Sequence, residues 1–349
     1  MKKYFTRMGD GSAVYMTEEE IRKDIEAGIA NAVRGAKVDP LTDDEIEHLY
    51  NIITAPDSVV SVENHRRVVQ TSDSSSNKLG RHSGIAIDQP TQTVIYERCL
   101  GCDSMDMGLN DYNFKAVKSC AENEAVIVKN ALTYSAMPLL YGGMPNLGFY
   151  TKPDGPVDNW AELLPAGKLD EARAAQEEAV EYAVHDMVFV ADTMYKVGVD
   201  GINLDTCGAS GDADWLAALK ACEIIRNKYP DMGVEMGMAG EFVLGMHGKL
   251  EYDGVRLAGL YPHQQVKLAE KAGATIFGAV VNTNSNMSFA WNLARTCTFI
   301  KACMEVAEIP VHVNVGMGVG AIPMSEYMPA DVVSRTDKAL IEICNIDGL

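Results

Sequence analysis

From Pro138 onward, short apolar strands alternate with amphipathic helices, and three helix-to-strand junctions read like copies of one another. Such alternation belongs to α/β folds, in which a parallel sheet is joined by crossover helices. The repeated junctions, without a glycine-rich phosphate loop after the first strand, favour a TIM-type (β/α)8 barrel over an open doubly wound sheet. The sequence thus predicts an N-terminal, helical or mixed extension over residues 1–130, then a (β/α) barrel over 131–349.

The elements follow in order. Thr17-Glu-Glu-Glu20 opens a first helix as a capping box, the threonine accepting from the amide three residues on and Glu20 reaching back. Thr42-Asp-Asp-Glu45 repeats the device ahead of Ile46, Leu49, Ile52 and Ile53. Thr71 to Gly84 reads as an exposed loop carrying His82, Val94-Ile-Tyr-Glu97 as a strand, and Ala121 to Leu132 as a helix. Barrel strands are expected at Pro138-Leu-Leu-Tyr-Gly142, Gly201 to Thr206, Gly233 to Met238, Ala274 to Val280 and Pro310 to Val315, with a last one beginning at Ile346. A Pro- and Gly-rich excursion over 143–168 follows the first of these. Between Leu169 and Val197, residues Ala172, Ala175, Ala179, Ala183, Met187, Val190, Met194 and Val197 recur at steps of three and four, which is one helical face.

The three junctions are Lys196-Val-Gly-Val-Asp-Gly-Ile, Lys271-Ala-Gly-Ala-Thr-Ile-Phe and Ile343-Cys-Asn-Ile-Asp-Gly-Leu349. Each puts glycine, or Asn345, where a helix ends in a left-handed backbone. Aligning the last with the first sets Leu349 opposite Ile202, one residue into a strand. Counted this way, about six strands of the eight in a barrel are present, and the barrel is expected to be C-terminally incomplete.

Composition narrows the function classes. The formal charge is −19, so a nucleic-acid partner, which needs a clustered cationic face, is not expected. No apolar run approaches the ~20 residues of a membrane span. The opening MKKYFTRMGDG meets Arg7 and Asp10 before an apolar stretch forms, so no secretory signal is expected either. The eight cysteines are scattered. Only Cys99-Leu-Gly-Cys102 is closely spaced, and no second such pair or histidine pair accompanies it. Buried thiols in a reducing cytoplasm, and no metal site, are the expectation.

Strand alternation points to a site. If Ile202 and Leu204 face the helices, Asn203 and Asp205 face the barrel interior. By the same logic Glu235 points inward, Glu241 stands at a strand exit, and His312 and Asn314 alternate with three valines. Asn282-Thr-Asn284 closes another strand. A single inward Asn or His is commonly a member of a satisfied core network. Several converging at strand ends, where barrel enzymes place their chemistry, are costly to bury without use. Glu235, Glu241 and Asp205 are the candidate catalytic acids, and Asn203, Asn282, Asn284, His312, Asn314 and Tyr141 the candidate substrate-binding residues. Gly316-Met-Gly-Val-Gly320 resembles a phosphate cradle only superficially, since no convincing helix follows it.

The chain resembles the pyrrolysine-dependent dimethylamine:corrinoid methyltransferases from Arg7-Met-Gly-Asp-Gly11 to its end. The resemblance is carried by Tyr141-Gly-Gly-Met-Pro-Asn, Met238-Ala-Gly-Glu-Phe-Val-Leu-Gly-Met-His-Gly, Tyr261-Pro-His-Gln-Gln, Ala290-Trp-Asn-Leu-Ala-Arg and Asn314-Val-Gly-Met-Gly-Val-Gly-Ala-Ile-Pro-Met. It implies a TIM barrel and an amber-encoded pyrrolysine, which in this sequence would follow Leu349 directly. It implies, too, an imine that captures dimethylamine and orients a methyl group for the Co(I) of a cognate corrinoid protein. The corrinoid would be carried by that partner rather than bound tightly by this chain, and a homo-oligomer is expected. A chain stopped at the amber codon would itself be inactive. Two other readings stand beside this one: a complete, pyrrolysine-free barrel enzyme acting on another small methylated or carbonyl substrate, and a non-catalytic fragment that docks the corrinoid protein.

Overall fold

The structure, a computed structural model, describes residues 2–62, 68–73, 103–111, 117–134, 138–144, 146–283, 285–316, 318–325 and 328–349. The chain opens with an antiparallel hairpin, β1 (Lys3–Arg7) and β2 (Ala13–Thr17), which runs into α1 (Glu18–Ala36) and then α2 (Asp43–Thr54). Both expected capping boxes form: the Thr17 and Thr42 hydroxyls accept from the Glu20 and Glu45 amides, and each glutamate accepts the cap's own N–H at 2.7 Å.

The centre of the molecule is one parallel sheet. Its strands are β3 (Val69–Asp73), β4 (Asp103–Asp111), β5 (Leu139–Met144), β6 (Gly201–Cys207), β7 (Gly233–Met238), then β10 (Ile276–Ala279) and β11 (Val311–Val313) after a small hairpin, β8 (Glu251–Tyr252) and β9 (Val255–Arg256). The spatial order β11-β10-β7-β6-β5-β4-β3 follows the chain without a crossing. Residues 346–349 lie between the two outer strands. The Val69 amide donates to Asp347, Leu349 donates back to Val69, and Val313 donates to Gly348, at 2.8 to 3.0 Å. Gly348 is thereby bridged in parallel to both Val69 and His312. Seven strands and this segment make a ring of eight parallel staves.

The ring corrects the strand count expected from sequence. Two staves, β3 and β4, come from the stretch expected to be extension, so the sheet begins well before residue 130. Neither reads as an apolar run: β3 is VQTSD and β4 is DSMDMGLND. Parallel strands covered on both faces ordinarily show such a run, and these lack it. The loop expected from Thr71 begins inside β3, while the rest of it, His82, the strand at 94–97 and both Cys99 and Cys102 lie outside the described residues.

The helices pack as the spacing requires. They are α3 (Val117–Tyr134), α4 (Trp160–Leu163), α5 (Leu169–Val197), α6 (Asp212–Lys228), α7 (Pro262–Ala272), α8 (Phe289–Val306) and α9 (Ala330–Glu342). On α5 the residues from Ala172 to Met194 that recur in sequence are buried. All three junctions turn left-handed where predicted, with φ of 100° at Gly198, 95° at Gly273 and 55° at Asn345. Among the described residues no helix is long and apolar enough to cross a membrane.

Candidate active site

In a parallel sheet, residues in register share a face. Gly142, Asn203, Glu235 and Ile276 form one such row across β5, β6, β7 and β10. Gly237, Gly278, His312 and Gly348 form the next row toward the C-terminal ends. This is the lumen face. Leu140, one row nearer the N-terminal ends of the strands, gives the lumen an apolar floor and packs on Ile276 apart from the main core.

The polar residues above that floor are enclosed. Glu235 is 0% exposed and Asn203 1%, and neither amide atom of Asn203 has a hydrogen-bond partner. A buried, unpaired amide costs on the order of 1–3 kcal/mol, so its survival here points to a polar ligand. His312 Nδ1 lies 2.9 Å from Glu235 Oε1, and the His312 side chain keeps 14% of its surface exposed. Asp205 Oδ1 accepts the N–H of Thr206 at 2.7 Å and would lie 2.8 Å from a Cβ at Gly237. Thr206 itself holds a φ of 52°, and the β6–β7 ladder shifts register between Leu204 and Cys207. Strain of this kind, costing about 1–3 kcal/mol, gathers at functional strand ends.

The other candidates are placed differently. Tyr141 is in register with Ile202, on the helix-facing side, where it joins the main apolar core. The residue alternation that sends Asn203 inward therefore sends Tyr141 away from the lumen. Glu241 is bound by Arg295, a residue the sequence reading passed over, and its backbone N–H and carboxylate exchange two 3.1 Å hydrogen bonds with Asn282. Arg295 further donates to the Asn282 carbonyl at 3.1 Å and to Asn31 of α1 at 2.9 Å. Glu241 and Asn282 thus knit the loops after β7 and β10 to the N-terminal helix. A cation among the mostly buried residues at the start of α8 was the signal available for Arg295. Asn314 is exposed at the exit of β11, and Asn284 lies outside the described residues.

Beneath the β6 exit, Asp214 on the first turn of α6 is wholly buried. Burial pushes its carboxyl up to about 7, against backbone N–H groups of residues 208–210 that pull it down. The turn at 316–320 is no phosphate cradle, because the amides of Gly318, Val319 and Gly320 donate to Ile322, Gly316 and Val281. Cys120, Cys207, Cys222, Cys297, Cys303 and Cys344 are free and buried, and no cluster fit for a metal occurs among the described residues. Around the mouth, Phe149, Phe242, Leu244, Met246, Met287 and Met324 are exposed, each in a segment that follows a strand.

A family model described as dimethylamine methyltransferase matches residues 2–349. Among solved structures the chain is similar to a tryptophan synthase complex from Pyrococcus furiosus, at 10% identity over 81% of this chain and 85% of that one, with a TM-score of 0.37. It is similar at 12% identity to the carboxyl transferase domain of Rhizobium etli pyruvate carboxylase, covering 94% and 50% with a TM-score of 0.39. It is also similar at 12% to the homocysteine methyltransferase of Escherichia coli in its metallated form, covering 78% and 96% with a TM-score of 0.35.

Proposed function

Because this chain belongs to the dimethylamine methyltransferase family, we propose that it moves one methyl group from dimethylamine to the Co(I) corrinoid of a cognate partner protein, releasing monomethylamine in the cytoplasm. The observation that supports a site inside the barrel is Asn203, whose buried amide lacks any partner beside the carboxylate of Glu235. A small alkylammonium matches what surrounds it: acceptors for N–H groups on Asn203 and Glu235, with Ile276 beside them and Leu140 below for methyl groups.

We place pyrrolysine directly after Leu349. Alternation after Gly348, which shares the lumen face with His312, brings the following position back to that face. Its imine would supply an electrophile for the amine nitrogen. This chain's own residues do the rest: Asn203 and Glu235 hold the amine over the apolar floor. Glu241, Arg295 and Asn282 fix the loops that frame the mouth. The corrinoid protein docks over the mouth, where the exposed aromatic and methionine side chains offer apolar surface. The assembly is a homo-oligomer.

The test supplies the full-length protein and its Co(I) corrinoid partner with mono-, di- or trimethylamine and measures the amine released. Monomethylamine formed fastest from dimethylamine supports the proposal. No release from dimethylamine overturns it.

A further inference from the structure

The lumen row of Gly142, Asn203, Glu235 and Ile276 is polar only at its middle. There, Asn203 Oδ1 and both oxygens of Glu235 are buried acceptors without a hydrogen bond. With Oε1 set 2.9 Å from His312 Nδ1, Oε2 is the Glu235 oxygen left for a ligand. The space before Asn203 is kept clear of side chains. A Cβ at Gly237 would lie 3.6 Å from Asn203 Oδ1, and the in-register neighbour on β5 is Gly142. Two acceptors thus stand side by side on adjacent strands. Acceptors about 2.9 Å from one tetrahedral nitrogen lie about 4.7 Å apart, which is the spacing of neighbouring strands. Beneath the pair the lumen is apolar. Gly201 and Gly233 are bare, a Cβ at Gly201 would lie 2.9 Å from Leu140 Cγ, and Leu140 spreads across them to Ile276.

We propose that Asn203 and Glu235 select the amine by its number of N–H bonds, taking an ion that has two and rejecting trimethylammonium. The proposal deepens, and rests on, the amine reading of this lumen. At neutral pH dimethylamine is a dimethylammonium ion, whose nitrogen carries two N–H groups and two methyls. One N–H donates to Asn203 Oδ1 and the other to Glu235 Oε2, whose charge offsets that of the ion. One methyl rests on Leu140 and Ile276, and the other is directed to the mouth. Trimethylammonium has a single N–H. Donated to Glu235, it sets a methyl against Asn203 Oδ1 and leaves that buried acceptor unpaired. A site built on N–H recognition rejects an analogue lacking the group far more strongly than an apolar pocket rejects one methylene. Asn203 is therefore the specificity-determining residue, and Glu235 supplies the charge that any alkylammonium requires.

Calorimetric titration of the 349-residue chain with the chlorides of di-, tri- and tetramethylammonium tests this. The parent should bind dimethylammonium at least tenfold more tightly than trimethylammonium, and tetramethylammonium the most weakly. N203L removes one acceptor and adds apolar surface, so trimethylammonium should become its tighter ligand. N203D keeps an acceptor in place and should retain the parent's order, while E235Q should weaken binding of both ions at least tenfold. A parent preference below tenfold, a parent that binds none of the three, or an N203L that still prefers dimethylammonium overturns the proposal. N203A carries the same test should N203L not melt cooperatively: a preserved tenfold preference there overturns the proposal, and a lost one supports it. Turnover keeps the two readings apart. A full-length parent that releases no monomethylamine from dimethylamine contradicts the methyltransferase reading, and the binding order still decides what Asn203 recognises.

Discussion

At the scale of single residues, the lumen shows which polar groups carry structure and which are held for a ligand. Arg295 and Glu241 are both nearly buried and satisfy each other, so removing one strands a charge. R295M is expected to lower folding stability by about 3 kcal/mol, read by chemical denaturation, because an unpaired buried carboxylate remains. Asn203 is the opposite case, with nothing to lose in the fold. N203L should leave thermal stability unchanged or raised while dimethylamine turnover falls at least tenfold, and a stability loss with full turnover would mark it as structural. Most of this was legible in strand alternation, which placed Asn203, Glu235 and His312 on one face. Tyr141 falls outside the lumen because its phase on β5 is that of Ile202, one residue from the inward Gly142. Arg295 escaped because its partners lie on three other segments, and sequence spacing has no way to show that.

Two elements frame the site. On α6, Asp214 stays protonated in the folded protein up to about pH 7, whereas in the unfolded chain it ionises near pH 4. Its contribution to stability is therefore present below the unfolded value and is lost as pH rises toward about 7. The partly buried Asp337 of α9, also raised to about 7 by burial, adds a second slope of the same sign. D214N should reduce the fall in stability between pH 4 and pH 7 without abolishing it, as measured by denaturation midpoints across that range. The second element is the N-terminal hairpin. The Gly9 amide donates to the Met287 carbonyl at 2.7 Å, and a Cβ at Gly9 would fall 1.9 Å from the Ser285 carbonyl oxygen. G9A must push the loop after β10 aside, at a cost of about 2 kcal/mol in stability. The capping boxes of α1 and α2 were plain in sequence because caps are local. The hairpin's seat against residues 285–288 was not, since that contact spans the whole chain.

Over the whole molecule, the helical units and their junctions followed from periodicity and cap glycines, while the count of staves did not. Polar β3 and β4 hid the start of the sheet, and residues 346–349 gave no sign in sequence of lying between β3 and β11. Ring closure has a direct signature. The amides of Val69, Val313 and Leu349 should exchange with solvent as slowly as those at the centre of β6 and β7. Rapid exchange there would mean open sheet edges. A closed ring confines the lumen, and a confined lumen makes the unpaired amide beside Glu235 a binding group rather than a defect. The most direct measurement follows the cobalt absorbance of the Co(I) corrinoid protein after dimethylamine is added with either the parent enzyme or N203L. Rapid methylation by the parent and at least tenfold slower methylation by an equally stable N203L is the predicted result. Equal rates in the two, or none from the parent, would contradict a dimethylamine site inside this barrel.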